Sequence, residues 1–322
     1  MNGYERVMHA IRFERPDRIP VWMMNKDQRD GDILWYDLRL YEDTDMPGSG
    51  WHRGHHSEWG YVWRTLDDGT MGQPTEPVIR TWDELEHFRM PGMDLQRRFS
   101  GLNEYMKASE GYYRLPMCIV NGFTTYTFLR GFENAMVDFI EEPEKSGRLL
   151  DRILSWEMEL MEHCAKAGFH GFHLGDDWGT QRSLIISPGM WREVFFPRYK
   201  KQCEHAHKLG LQVWFHSCGN VTEIAEGLFE AGVDVLNLAQ PNTVDIEKVG
   251  RQLKGKQCFL IPISYQTTSI SGSHEEILSD AKRMYDMLGS PDGGFIGYVE
   301  EYSCMGMTDA NYHACIEAFR RL

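Results

Sequence analysis

The stretch QVWFHSCGN, residues 212–220, sets an imidazole and a thiol two positions apart at the end of an apolar run. Val213, Trp214 and Phe215 read as a buried strand, and Gly219 and Asn220 break it. Positions i and i+2 of a strand point to one face, so His216 and Cys218 project together. Imidazole nitrogen and thiolate sulfur are donors that zinc accepts side by side. Taken alone, an HxC pair is more often a core histidine beside a free thiol, and the elements around it have to decide.

Those elements alternate. Apolar runs predict strands at 18–24, 115–122, 168–177, 212–220, 233–241, 257–265 and 293–304. Helical periodicity covers 4–13, 133–167 with a break near Pro143, 188–209, 221–231, 246–253, 275–288 and 309–322. Strands alternating with helices imply a parallel sheet. Seven or eight βα units in one chain favour a closed α/β barrel, the (β/α)8 or TIM type, over an open sheet. No GxGxxG follows the first strand, which weakens a dinucleotide-binding reading. One domain over 1–322 is expected, with no internal repeat and no linker. Residues 25–50 read as polar loop, and helices are expected at 82–87 and 95–109. The stretch 61–79 alternates around Asp68-Gly69, a hairpin signal. With the His- and Trp-rich loop before it, it predicts an antiparallel extension over the barrel mouth.

A barrel gathers the carboxyl ends of its strands at one mouth. Those ends offer Asn121, Asp176, Asp177, His216, Cys218, Asn237, Gln240, Tyr265, Glu300, Glu301 and Cys304. His216, Cys218 and Cys304 would make a three-ligand zinc site, its fourth position open to substrate, water or a carboxylate. Asp176 and Asp177 are neighbours on a strand and face opposite ways, so one of them faces the cavity. That one binds substrate or orients His216, or else Asp176 caps the following turn. Asp176 and Glu301 are the candidate catalytic carboxylates. Asn121, Asp177, Asn237, Gln240 and Tyr265 are the candidate substrate contacts. His52, His55, His56, His205 and His207 read as surface residues, and Met305 and Met307 as packing beside the site.

Composition narrows the partners. The chain has 322 residues and is 42% hydrophobic, yet no apolar run approaches a membrane span. A formal net charge of −14 argues against nucleic acid, whose phosphates need a basic footprint. Seven scattered cysteines and a charged, amphipathic N-terminus without a signal-type apolar stretch point away from a disulfide framework. A cytoplasmic location is expected.

Several segments resemble the uroporphyrinogen decarboxylase superfamily, and within it the zinc-dependent cobalamin methyltransferases. They are PDRIPVW (16–22), PVWMMNKDQR (20–29), SPGMWREVFFPRYKKQCEHAHKLGLQVWFHSCGNV (187–221), GVDVLNLAQPNTVDIEKV (232–249) and the C-terminal segment. The likeness spans nearly the full chain and implies the barrel. True decarboxylases resemble PxWxMRQAGR at the first strand, where Asn25 and Lys26 stand here in place of Arg and Gln. They also carry a histidine in an LGHGI-like segment, where this chain has Cys304. The methyltransferase branch pairs an HxC with a distant cysteine, the pattern of His216, Cys218 and Cys304, although its PGCGI context is YSCMGM here. The resemblance therefore implies a bound Zn2+ and a corrinoid carried by a partner protein. The methyl group would move between that corrinoid protein and a small-molecule donor or acceptor. A methoxylated compound undergoing O-demethylation is favoured over an amine, a thioether or a thiol. The alternative is a decarboxylase-like lyase acting on a tetrapyrrole. A homodimer is compatible with either.

Overall fold

The computed structural model describes residues 1–38, 55–64, 73–118 and 122–322. Eight short strands form one sheet: β1 (Val21–Met23), β2 (Ile33–Asp37), β3 (Tyr113–Met117), β4 (Gly171–Gly175), β5 (Gln212–Ser217), β6 (Val235–Leu238), β7 (Cys258–Pro262) and β8 (Phe295–Val299). Every pairing is parallel, and the spatial order is β1-β8-β7-β6-β5-β4-β3-β2. The two ends of that series meet where Asp32 N–H donates to the Val21 carbonyl (2.8 Å). The Asp32 carboxylate also accepts from Val21 N–H (2.9 Å). The sheet thus curls into a (β/α)8 TIM barrel. Asp32 is 1% exposed, and Arg6 and Arg18 both pair with it.

β2 is the strand that the sequence reading placed inside a polar loop. Its five residues, ILWYD, stand between Asp30-Gly31-Asp32 and further charged residues, and no helix separates it from β1. Only a single turn, Gln28–Asp30, makes that crossing. The next crossing carries a small antiparallel sheet of His55–His56, Val62–Arg64 and Gln73–Pro74. It is the expected extension, although Asp68-Gly69 and His52 lie outside the described residues. Its aromatics lean on the outer helices: Trp59 meets Trp156 at 5.0 Å, and Tyr61 and Trp63 meet Phe128 at 5.2 and 5.5 Å.

Alternation along each strand sorts side chains into two cores. Trp22, Ile33, Tyr113, Leu115, Trp214, Val235, Cys258, Leu260 and Ile296 fill the barrel interior. Val7, Met8 and Ala10 of the helix Gly3–Arg12 close it from below. That helix starts on a reciprocal Asn2–Glu5 cap. It lies across the amino ends of the strands, where Tyr4 N–H bonds the Gly111 carbonyl and Gly294 N–H bonds the Ala10 carbonyl. The alternate set, including Phe172, Leu174, Val213, Phe215, Leu236, Leu238, Phe259 and Ile261, packs under the surrounding helices. His216 shares the inward parity of Trp214. The strand period that buries tryptophan on the floor therefore delivers imidazole to the mouth.

Candidate metal centre

β5 holds His216 level with Gly175 of β4 on one side and Asn237 of β6 on the other. Among the described residues, one ligand atom each from Asp177, His216 and Cys218 lie within 4.8 Å of one another. His216 Nε2 stands 3.5 Å from Cys218 Sγ and 3.5 Å from Asp177 Oδ1. Asp177 Oδ1 also accepts the Cys218 backbone N–H at 2.9 Å. On its other edge, the imidazole places Nδ1 at 2.6 Å from Asn237 Oδ1. Deeper in the barrel, His173 lies level with Trp214, its ring 6.1 Å from that of His216.

Two glycines bring the ligand-bearing loops together. Gly179 N–H donates to the Cys218 carbonyl (3.0 Å), and Asn220 N–H donates to the Thr180 carbonyl (2.8 Å). A Cβ on Gly179 would stand 2.3 Å from Asn220 N, and one on Gly219 would stand 2.1 Å from the Gly179 carbonyl oxygen. Gly219 also has φ of +75°, a region that side-chain-bearing residues enter at a cost. Backbone against backbone at this separation is what lets Asp177 reach the thiol one strand away.

The electrostatics favour a cation between these side chains. Burial opposes a charged imidazole at His216, but Cys218 and Asp177 outweigh it and hold the group's proton affinity well above the usual histidine range. For Asp177, burial is likewise outweighed by His216 and by the Cys218 N–H, so its carboxyl sits below the usual range. His173 is different. Burial, reinforced by His216, pushes it down to about 3, so it is neutral near pH 7. One imidazole, one thiol and one carboxylate, with an edge open to the mouth, is a donor set that suits zinc. Proton and metal would compete for it.

The other sequence candidates fall into distinct places. Asp176 is fully buried and turns away from this group. Its carboxylate accepts from Phe123 N–H (3.1 Å), Thr124 N–H (2.7 Å) and the Tyr199 hydroxyl (2.6 Å). It thereby anchors the start of the helix Gly122–Arg130. Burial pushes it up to about 6 against those donors. Asn237 is 4% exposed and engages His216 rather than the open mouth. Gln240 accepts from Gly219 N–H (2.9 Å) and so braces the ligand loop. Tyr265 lies against Tyr302, the rings tilted by 35° with 5.0 Å between centroids, and is held un-ionised by burial, with Cys218 adding to the effect.

Glu301 exchanges backbone-to-side-chain bonds with Asn25 (2.8 and 3.0 Å) and accepts from Ser303 N–H (2.9 Å). Its neighbour Glu300, half-buried, accepts from the hydroxyls of Tyr298 (2.6 Å) and Tyr302 (2.8 Å). Cys304 sits exposed in the turn Ser303–Met305, outside the 4.8 Å group that Asp177 joins instead. Met307 is buried and Met305 exposed. Asn121 lies outside the described residues. The sequence named Asp177 but not as a metal donor, because its reach depends on the Gly179–Gly219 contact. The glycines of DDWG and SCG were the only signal of that contact.

One solved structure supports the architecture, and others show weaker likeness. A methyltransferase from Methanosarcina mazei superposes with a TM-score of 0.75 at 14% identity, covering 100% of this chain and 99% of that one. The YdhT protein from Bacillus subtilis gives 0.48 at 12% identity, over 96% and 88% of the two chains. Bacillus subtilis mannanase man26 gives 0.47 at 11%, over 95% and 87%. No curated protein matches the chain. Among the described residues, no helix is long and apolar enough to cross a membrane. The family model of uroporphyrinogen decarboxylase (URO-D) matches residues 67–319, well over half of the sequence. The chain belongs to the uroporphyrinogen decarboxylase (URO-D) family.

Proposed function

We propose that the chain is a zinc-dependent methyltransferase. It would move a methyl group between a small methylated substrate, with a methoxylated compound favoured, and a corrinoid protein. The observation that carries this reading is the convergence of Asp177, His216 and Cys218 at the barrel mouth, where a decarboxylase has no need of a thiol. His216 Nε2, Cys218 Sγ and an Asp177 oxygen would hold the ion. When bound, zinc supplies Lewis acidity toward an oxygen, nitrogen or sulfur atom, or keeps a thiol in its thiolate form.

The chain's own residues supply the rest. Tyr265 and Tyr302, two tilted rings 5.0 Å apart, offer an aromatic edge beside Cys218 for a flat substrate. Glu300 holds the hydroxyls of Tyr298 and Tyr302 from the same mouth. We further propose that Cys304, on the exposed turn that follows the Asn25-bonded Glu301, is an additional thiol donor. Asn25 itself replaces the arginine of the decarboxylase pattern, and its side chain is spent on the Glu301 backbone. That speaks against an acidic tetrapyrrole as substrate.

Metal analysis of the purified protein tests the reading. About one zinc per chain is expected, absent in Cys218→Ser and weakened in Cys304→Ser. The loaded protein should also methylate or demethylate a corrinoid protein. A folded wild-type chain that takes up no zinc sinks the proposal, and loss of carboxyl groups from uroporphyrinogen would establish the lyase in its place.

A further inference from the structure

We propose that Asn237 is the positioning residue that fixes His216 in one tautomer and one ring orientation, with Nε2 free to bind a metal. This inference rests on reading Asp177, His216 and Cys218 as a metal site. Asn237 is 4% exposed and stands in register between His216 of β5 and Leu260 of β7. An amide can present either end to a neighbour, and its partners select which end faces the imidazole. Here the far partner decides it. Asn237 Nδ2 lies 2.8 Å from the Leu260 carbonyl, which can only accept, so the nitrogen must be there.

The amide oxygen therefore faces His216, 2.6 Å from Nδ1. That oxygen can only accept as well, so Nδ1 must carry the proton. A neutral imidazole protonated at Nδ1 has its lone pair on Nε2, and Nε2 is the atom that faces Cys218 Sγ and Asp177 Oδ1, each at 3.5 Å. The chain of constraint runs from a main-chain carbonyl, through a buried amide, to a metal donor. Both polar ends of Asn237 are engaged within the protein. Partners of this kind fix ring orientation and raise ligand basicity, and losing one weakens metal affinity by about 10- to 100-fold.

Two measurements test the role. In the zinc-loaded wild-type protein, 15N imidazole shifts of His216 should show a protonated Nδ1 and a coordinated Nε2. Replacement of zinc by 113Cd should couple the metal to Nε2. In chelator competition, Asn237→Leu should bind zinc about 10- to 100-fold more weakly than wild type. Asn237→Asp, whose carboxylate still accepts from Nδ1–H, should recover most of that loss. Coordination through Nδ1, or undiminished affinity in Asn237→Leu, overturns the role of Asn237 while leaving the metal site standing. A folded wild-type chain that binds no zinc overturns the metal reading beneath it. The wild-type spectrum decides the matter even if the leucine variant fails to fold.

Discussion

Asp176 and Asp177 are adjacent in sequence and do opposite work. The first, fully buried, spends its carboxylate on two helix-start N–H groups and a tyrosine hydroxyl. The second, on the mouth side, stands against an imidazole and a thiol. Their variants should therefore separate. Asp176→Ala strands buried donors that each cost about 1–3 kcal/mol when unpaired, so it should lower stability by roughly 3 kcal/mol or more. Asp177→Asn should lower the unfolding midpoint of the metal-free protein by less than Asp176→Ala does, and weaken zinc binding at least tenfold. Urea unfolding and chelator competition on the two variants measure both effects. A stable Asp176→Ala, or an Asp177→Asn that binds zinc normally, would contradict the division of labour.

The strand ends deliver the donors, but two loops must touch for the set to close. Gly219→Ala would force a Cβ against the Gly179 carbonyl in a left-handed backbone conformation. Strain of this kind costs on the order of 1–3 kcal/mol, and relief requires Cys218 to move. The variant should melt lower and lose metal affinity together, as thermal unfolding with and without chelator would show. An unchanged melting curve would mean that the loops do not need their close approach. At this scale the sequence was partly legible. The period of two along 212–217 foretold that His216 and Cys218 share a face with Trp214. It also showed that the 168–177 strand ends in acid at the same mouth. β2 escaped notice because five residues between charged neighbours carry too little pattern. The joining of Asp177 to the thiol escaped because it is a backbone contact between loops some forty positions apart, which no periodicity records. Asn237 was singled out as a polar group, but its role depends on the register that sets it between His216 and Leu260.

On the scale of the molecule, the donor set marks one end of the barrel. The helix Gly3–Arg12 covers the other, and His170 helps to seat it. Its ring lies 4.4 Å from that of Tyr4 and 5.4 Å from that of Tyr113, and its Nδ1 accepts Arg114 N–H at 2.9 Å. Burial, with Arg114 nearby, lowers this histidine from 6.5 to about 4. An unfolded chain protonates it near pH 6.5, while the folded chain resists until about pH 4. Its contribution is thus complete above pH 6.5 and drains away as the pH falls toward 4. For a half-buried group this amounts to about 2 kcal/mol. Stability measured against pH should fall more gently over that window in His170→Gln than in wild type, and parallel curves would rule the contribution out.

The barrel's last seam has a kinetic meaning. β1 pairs with β8, Val21 beside Gly297, and Asn25 bonds Glu301 across 276 positions of sequence. No other seam of the barrel joins residues so remote, so the entropy of closing this loop falls due last. During synthesis the ring must wait as an open arc, its tryptophan-lined inner wall wet, until β8 leaves the ribosome. The turn that bears Cys304 emerges just after β8 and after Glu301, whose backbone Asn25 bonds. A nascent chain therefore holds Asp177, His216 and Cys218 long before the proposed donor Cys304 leaves the ribosome.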